Sequence, residues 1–318
     1  MAKRVKVRRR RPAADLGAAQ FAGEGQAFTL ALAGWGLGLA ALVAGLWLVA
    51  ALRTFSYALL ALTLLSLFAF ALLIPSLEIG QVRGLGRRVV PPPGSELAIA
   101  LERFARALLL QRRPTVVLAP GPPATETLGD LIVITEPVRD QLQPVEVRAL
   151  LAVQMGHIAV GHRPWLALRR RVRNAHRLLR TTLAIPLWPL VLGLGPWERA
   201  ARCTGLRIAT LLVGDPRVVA TAALKLAVLR DPESEVVVEE VEQFQMAPSK
   251  GGVEESRVSA HYKMNQFLTR NGDLNEQVHD LSAFAATDQY RELGRALRAR
   301  SMPAARKPGG GDESEVSD

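Results

Sequence analysis

The side chains able to do acid–base or metal chemistry gather in one apolar stretch, Ala149 to His162, which reads ALLAVQMGHIAVGH. It holds two of the chain's five histidines, His157 and His162. They stand five residues apart. A helical metal pair needs a spacing of four, which puts both rings on one face. From the residues alone, His157 is either a packed, hydrogen-bonded helix residue or a lone metal ligand. Other chemistries have less to work with. Cys203 is the single cysteine, so no internal disulfide forms and the thiol has no sequence partner. No glycine-rich phosphate loop follows a strand, because Gly34, Gly36 and Gly38 lie inside an apolar run. No local motif suggests a Ser/His/Asp set.

The elements that must position these residues can be read from pattern. Pro144 suits the first turn of a helix running to about Gly161. Two apolar β-rich runs precede it, Thr115 to Ala119 and Leu131 to Thr135, separated by a Pro- and Gly-rich loop, Pro120 to Gly129. Glu96 to Leu110 has helical periodicity. Glu198 to Arg230 predicts one long helix, Asp231 to Glu255 an acidic, loop-rich stretch, and Val258 to Arg300 further helix. The expected class is α+β, mainly α.

The N-terminal quarter predicts a membrane anchor. Phe28 to Leu52 carries no charge and exceeds the ~20 residues that cross a bilayer core. It is also longer than the ~7–15 apolar residues of a signal peptide. Tyr57 to Leu77 is a second apolar run, and the short turn at Arg53 to Ser56 makes the two a hairpin. Gly34 and Gly38, like Ala41 and Gly45, stand four apart; such pairs either mark close helix contact in lipid or reflect the frequency of glycine in membrane helices. Seven Lys or Arg residues precede the hairpin, Arg83, Arg87 and Arg88 follow it, and only Arg53 lies in its turn. Positive charge stays on the cytoplasmic side, so both ends are expected there, in the cell (inner) membrane of a multi-pass protein. The expected division is a basic disordered arm over 1–27, the hairpin over 28–79, a linker over 80–95, a folded domain over 96–300 and a disordered tail over 301–318. The arm reads as a topology signal, with a nucleic-acid arm as the alternative.

Of the basic residues behind the net charge of +11, a second group stands beside another apolar stretch. Arg163, Arg169, Arg170, Arg171, Arg173, Arg177 and Arg180 precede Thr181 to Trp197, which contains Pro186, Pro189 and Pro196. Three prolines make a poor spanning helix. Segment 181–197 is either re-entrant or interfacial, with the arginines on anionic lipid, or a kinked buried part of the domain.

The segment around His157 resembles the zinc helix of the HtpX-type membrane metallopeptidases, which reads A-H-E-x-G-H. Glu146, Ala149, Leu150, Leu151 and Ala152 match its lead-in, and Gly156 and His157 its end. Downstream the family has S-R-x-x-E-x-x-x-D-R-[IL], a G-D-P turn and K-L. Here Arg199, Arg207 and Ile208 fall in register, followed by Gly214-Asp-Pro216 and Lys225-Leu226. The resemblance covers roughly Gln26 to Arg230 and implies a zincin-like metallopeptidase domain behind the hairpin. It also implies where the site has degenerated. The first ligand histidine corresponds to Val153, the general base to Gln154, the ligand glutamate to Arg202 and the orienting aspartate to Leu206. Valine has no lone pair, an amide takes no proton at neutral pH, and guanidinium is a permanent cation. Only His157 remains, as a vestigial ligand; no catalytic residue and no cofactor are expected, although active relatives use zinc.

The function these expectations describe is that of a membrane-anchored metallopeptidase homologue without proteolytic activity. Its partners would be the lipid bilayer, anionic lipid at the arginine cluster, and an unknown protein or peptide lying along Thr115 to Ala119 or Leu131 to Thr135; nucleic acid is not expected. One alternative is an active zinc endopeptidase of membrane-protein quality control with replacement ligands such as His261 or His279. Another is a basic membrane-surface scaffold.

Overall fold

The computed structural model describes residues 16–48, 88–128, 130–167, 188–230 and 274–301, with scattered positions between 54 and 65. Among the described residues the chain is mainly helical with one small sheet. A short 3-10 turn, Leu16–Ala19, leads into α1, Glu24–Leu48. Then come α2 (Glu96–Ala107), β1 (Thr115–Ala119), β2 (Thr125–Leu128), β3 (Leu131–Thr135), α3 (Glu136–Gln141) and α4 (Pro144–Val160). The remainder is α5 (Trp188–Val213), α6 (Pro216–Arg230), α7 (Leu274–Ala285) and α8 (Asp288–Ser301).

α1 is the one described helix long and apolar enough to cross a membrane, and little of it is buried. Leu30 and Leu37 are each 72% exposed and Leu48 is 83% exposed, which in water would be a severe penalty along a 25-residue helix. Trp47 Nε1 donates to the Tyr57 hydroxyl at 3.2 Å, so the described part of the second apolar run folds back against the end of α1. Residues 66–87, where that run ends, lie outside the described residues.

The sheet has the order β1-β3-β2, with β3 parallel to β1 and antiparallel to β2. Val116, Leu118, Ile132 and Ile134 face the helices and join the main core with Phe104, Leu150, Leu151 and Met155. Val117, Ala119, Leu128 and Val133 form a cluster of their own, as alternation across a strand requires. Two expectations need correction. β2 lies inside what the sequence suggests is a plain loop, because its TETL stretch carries no apolar run. β3 is the central strand, so Leu131–Thr135 offers no open edge to a peptide. The edges are β2 and β1, and Leu118 of β1 already exchanges two backbone hydrogen bonds with Val89, at 2.8 and 2.9 Å.

The other differences arise in packing. Trp188–Val213 is a single helix through Pro196, and the break falls instead at Gly214, whose φ of 88° suits only a residue without Cβ, followed by Pro216. The apolar first half of α5 packs on α1: Leu194, Trp197 and Ala201 bury against Ala31, and Gly193 lets the two backbones touch. Residues 168–187, with most of the arginine cluster and the start of segment 181–197, lie outside the described residues. Nor is the stretch before α1 wholly a free arm. Residues 16–24 dock on the domain, with Ala19 completely buried and Gln289 Nε2 donating to the Ala18 carbonyl at 2.6 Å. Residues 1–15 and 302–318 are outside the described set.

Candidate functional site

α4 begins with a capping box: the Gln143 N–H donates to Glu146 Oε2 at 2.8 Å, while Glu146 Oε1 takes Lys225 Nζ of α6 at 2.6 Å. This buried carboxylate thereby serves as a structural clamp. The helix ends at Gly161, which adopts φ 83°, a left-handed cap. That reversal decides the fate of His162. On an uninterrupted helix, a residue five positions on would point away from His157. Past a left-handed turn it swings back, its N–H donates to the His157 carbonyl at 3.0 Å, and the two Nδ1 atoms come to 3.1 Å. One ring must donate and the other accept.

The polar chain continues into α1. His162 Nε2 stands 2.5 Å from Glu24 Oε1, off the ideal hydrogen-bond line, and Thr204 Oγ1 donates to Glu24 Oε2. All four side chains are buried: Glu24, His157, His162 and Thr204. Trp197 meets the His162 ring edge-on at 5.6 Å. The signal that would have found this cluster is modest: an acidic residue, Glu24, at the mouth of an apolar run, where charge is expensive unless paired.

The opposite edge of the His157 ring lies on α5. A Cβ on Gly205 would stand 2.7 Å from His157 Cε1 and 2.8 Å from Nε2, so the ring fills the space that the missing side chain leaves. A Cβ on Gly156 would stand 3.1 Å from Ile208 Cβ. Two glycines thus let α4 and α5 cross in contact, with His157 wedged between them. Burial first, then His162 and the positive Arg202, drive the imidazole pKa down to about 3, so His157 is neutral at physiological pH.

The other sequence-marked positions take separate roles. Val153 is half-buried and packs on the main core, one turn before His157. Gln154 turns to the sheet: Thr127 Oγ1 donates to its Oε1 at 2.9 Å, and its Nε2 donates to the Thr125 carbonyl at 3.3 Å. Arg202 bonds Glu198 Oε1 at 2.7 Å, one turn back on α5. Leu206 is buried in the core. The resemblance therefore puts Val153, His157 and Arg202 on two helices that do face one another. The donor types do not fit zinc: an alkyl chain, a wedged imidazole and a guanidinium supply no ligand set. Among the described residues no three His, Cys, Asp or Glu side chains converge on one point. His279 is exposed on α7, and His261 lies outside the described residues. Cys203 is buried. Arg163, the first of the arginine cluster, pairs with Asp130 at 3.2 Å.

No family model matches this chain, and neither a curated protein nor a solved structure matches it.

Proposed function

We propose that this chain is a membrane-anchored homologue of the HtpX-type metallopeptidases that cleaves no peptide and acts by binding a protein or peptide partner at the cytoplasmic membrane face. The hairpin, the zincin-like ancestry of the domain and the cytoplasmic placement belong to this proposal. One observation carries the loss of catalysis. The fold itself occupies the surroundings of His157: its Nδ1 stands 3.1 Å from His162 Nδ1, and its outer ring edge fills the space that a side chain on Gly205 would need. Arg202 adds a positive charge whose field reaches His157, and a positive charge opposes a divalent cation. The experiment is metal analysis of protein purified from membranes, together with a casein-cleavage assay. Zinc at one equivalent, resistant to dialysis and lost on His157→Ala, overturns the proposal.

A scaffold that leaves the groove unused is the second reading, and Gln154 favours it. Its amide occupies the Thr125 carbonyl on edge strand β2, a group that an added peptide strand would need. A photo-crosslinker at Glu126, half-buried on β2, tells the two readings apart. Groove binding predicts crosslinks to one partner that increase with Gln154→Ala; a scaffold shows none at this site in either form.

A further inference from the structure

The first residue of α1, Glu24, is 6% exposed, and its carboxylate is met by His162 and Thr204, residues more than 130 positions away in sequence. Around it the chain before α1 is stitched down. The Phe21 N–H donates to Thr204 Oγ1 at 2.9 Å. Arg207 bonds the Gln20 carbonyl at 3.3 Å and lies over the Phe21 ring at 5.1 Å. Beyond its first turns, α1 leaves the domain and stands exposed.

An ionised carboxylate in this place has two acceptable states. It is buried with its partners, or it is hydrated with α1 lifted from the domain. The state between, buried without a partner, is penalised by desolvation. Such an element is bistable rather than continuously deformable. His162 also touches His157, which wedges the α4–α5 crossing, so the same contact joins the membrane helix to the centre of the domain. A 25-residue helix is about 37 Å long, more than a ~30 Å hydrocarbon core, and in lipid it tends to tilt. Tilting pulls on its first turn.

We propose that Glu24 and His162 form a latch that locks the first turn of the membrane helix to the domain, and that opening it widens the range of tilt α1 can take on α5. This device does not depend on whether the protein binds peptide. The test is a pulsed spin-label distance between Leu37→Cys on α1 and Ile99→Cys on α2, both exposed, in full-length protein with Cys203→Ser, reconstituted in phosphatidylcholine vesicles. The latched protein should give one narrow distribution. Glu24→Ala and His162→Ala should each broaden it by about twofold or more, and the double variant should be no broader than either single one, because residues acting as a unit are not additive. Glu24→Gln and Thr204→Val, which preserve volume, should broaden it less and cover the case in which an alanine variant misfolds. An unchanged distribution in Glu24→Gln and Thr204→Val, or additive broadening in the double variant, overturns the latch.

Discussion

The His157 ring lies against the backbone of Gly205, so close that a methyl group there would stand 2.7 Å from Cε1. The ring is fixed on its other side by His162, at 3.1 Å, and cannot retreat without breaking that contact. Gly205→Ala should therefore force α4 and α5 apart. The expected loss is about 1–3 kcal/mol, the usual range for an overpacked core. A thermal-unfolding midpoint equal to that of the parent would show that the crossing is looser than described.

Acid should weaken this fold through the same residue. Folding lowers the His157 pKa from 6.5 to about 3, so between those values the unfolded chain binds more protons than the folded one. Stability from this group is complete above pH 6.5 and falls as pH drops toward 3, by at most about 1.4 kcal/mol per pH unit. Stability curves of the parent and of His157→Gln should converge as pH falls through that window. Parallel curves would mean that His157 titrates freely.

Restoring the family's ligands tests the alignment of α4 with α5. Val153→His with Arg202→Glu supplies a ligand set with His157, and Gln154→Glu supplies a base. This triple variant should gain one zinc, at ligand distances near ~2.0–2.3 Å by X-ray absorption. Cleavage need not return, because Leu206 leaves an orienting partner missing and such losses reduce activity or affinity by ~10–100-fold. Failure to bind zinc would refute the register assigned to Arg202.

Arg207 joins three parts of the chain: it forms a two-pronged pair with Asp280 of α7, lies over Phe284 at 5.0 Å and holds the Gln20 carbonyl. Arg207→Ala leaves Asp280, only 13% exposed in its side chain, without this partner, and should cost about 3 kcal/mol. Amide exchange in residues 16–24 should quicken with it. If exchange there stays as slow as in the parent, residues 16–24 are held by other contacts.

The distribution of basic residues predicts that the C-terminus is cytoplasmic. A phosphatase fused after Asp318, active only outside the cytoplasm, should be silent, while a fluorescent protein fused there should glow. The reverse pattern would invert the topology.

Composition and pattern alone mark α2, α4 and two of the three strands. The long apolar run that becomes most of α1 marks a candidate membrane span, and Pro144 and the apolar spacing behind it mark α4 without help from the rest of the chain. Local chemistry also fixes what Val153, Gln154 and Arg202 cannot supply, since valine, glutamine and arginine carry their donor properties wherever they are placed. Partners across space were not legible. His162 looked off-face because spacing arguments assume a continuous helix, and one left-handed glycine cancels that assumption. Glu24 sat in what read as a disordered arm because its partners are more than 130 residues away. β2 carried no apolar signal, as its side chains owe their position to pairing with β3 and to the amide of Gln154. The three prolines of 181–197 argue against a spanning helix, yet α5 runs through Pro196, where burial of Leu194 and Trp197 against α1 outweighs the one hydrogen bond the proline removes. Local propensity specifies which segments are helices; which of their polar groups meet is decided by the crossing of α4 with α5, where two glycines let backbones touch.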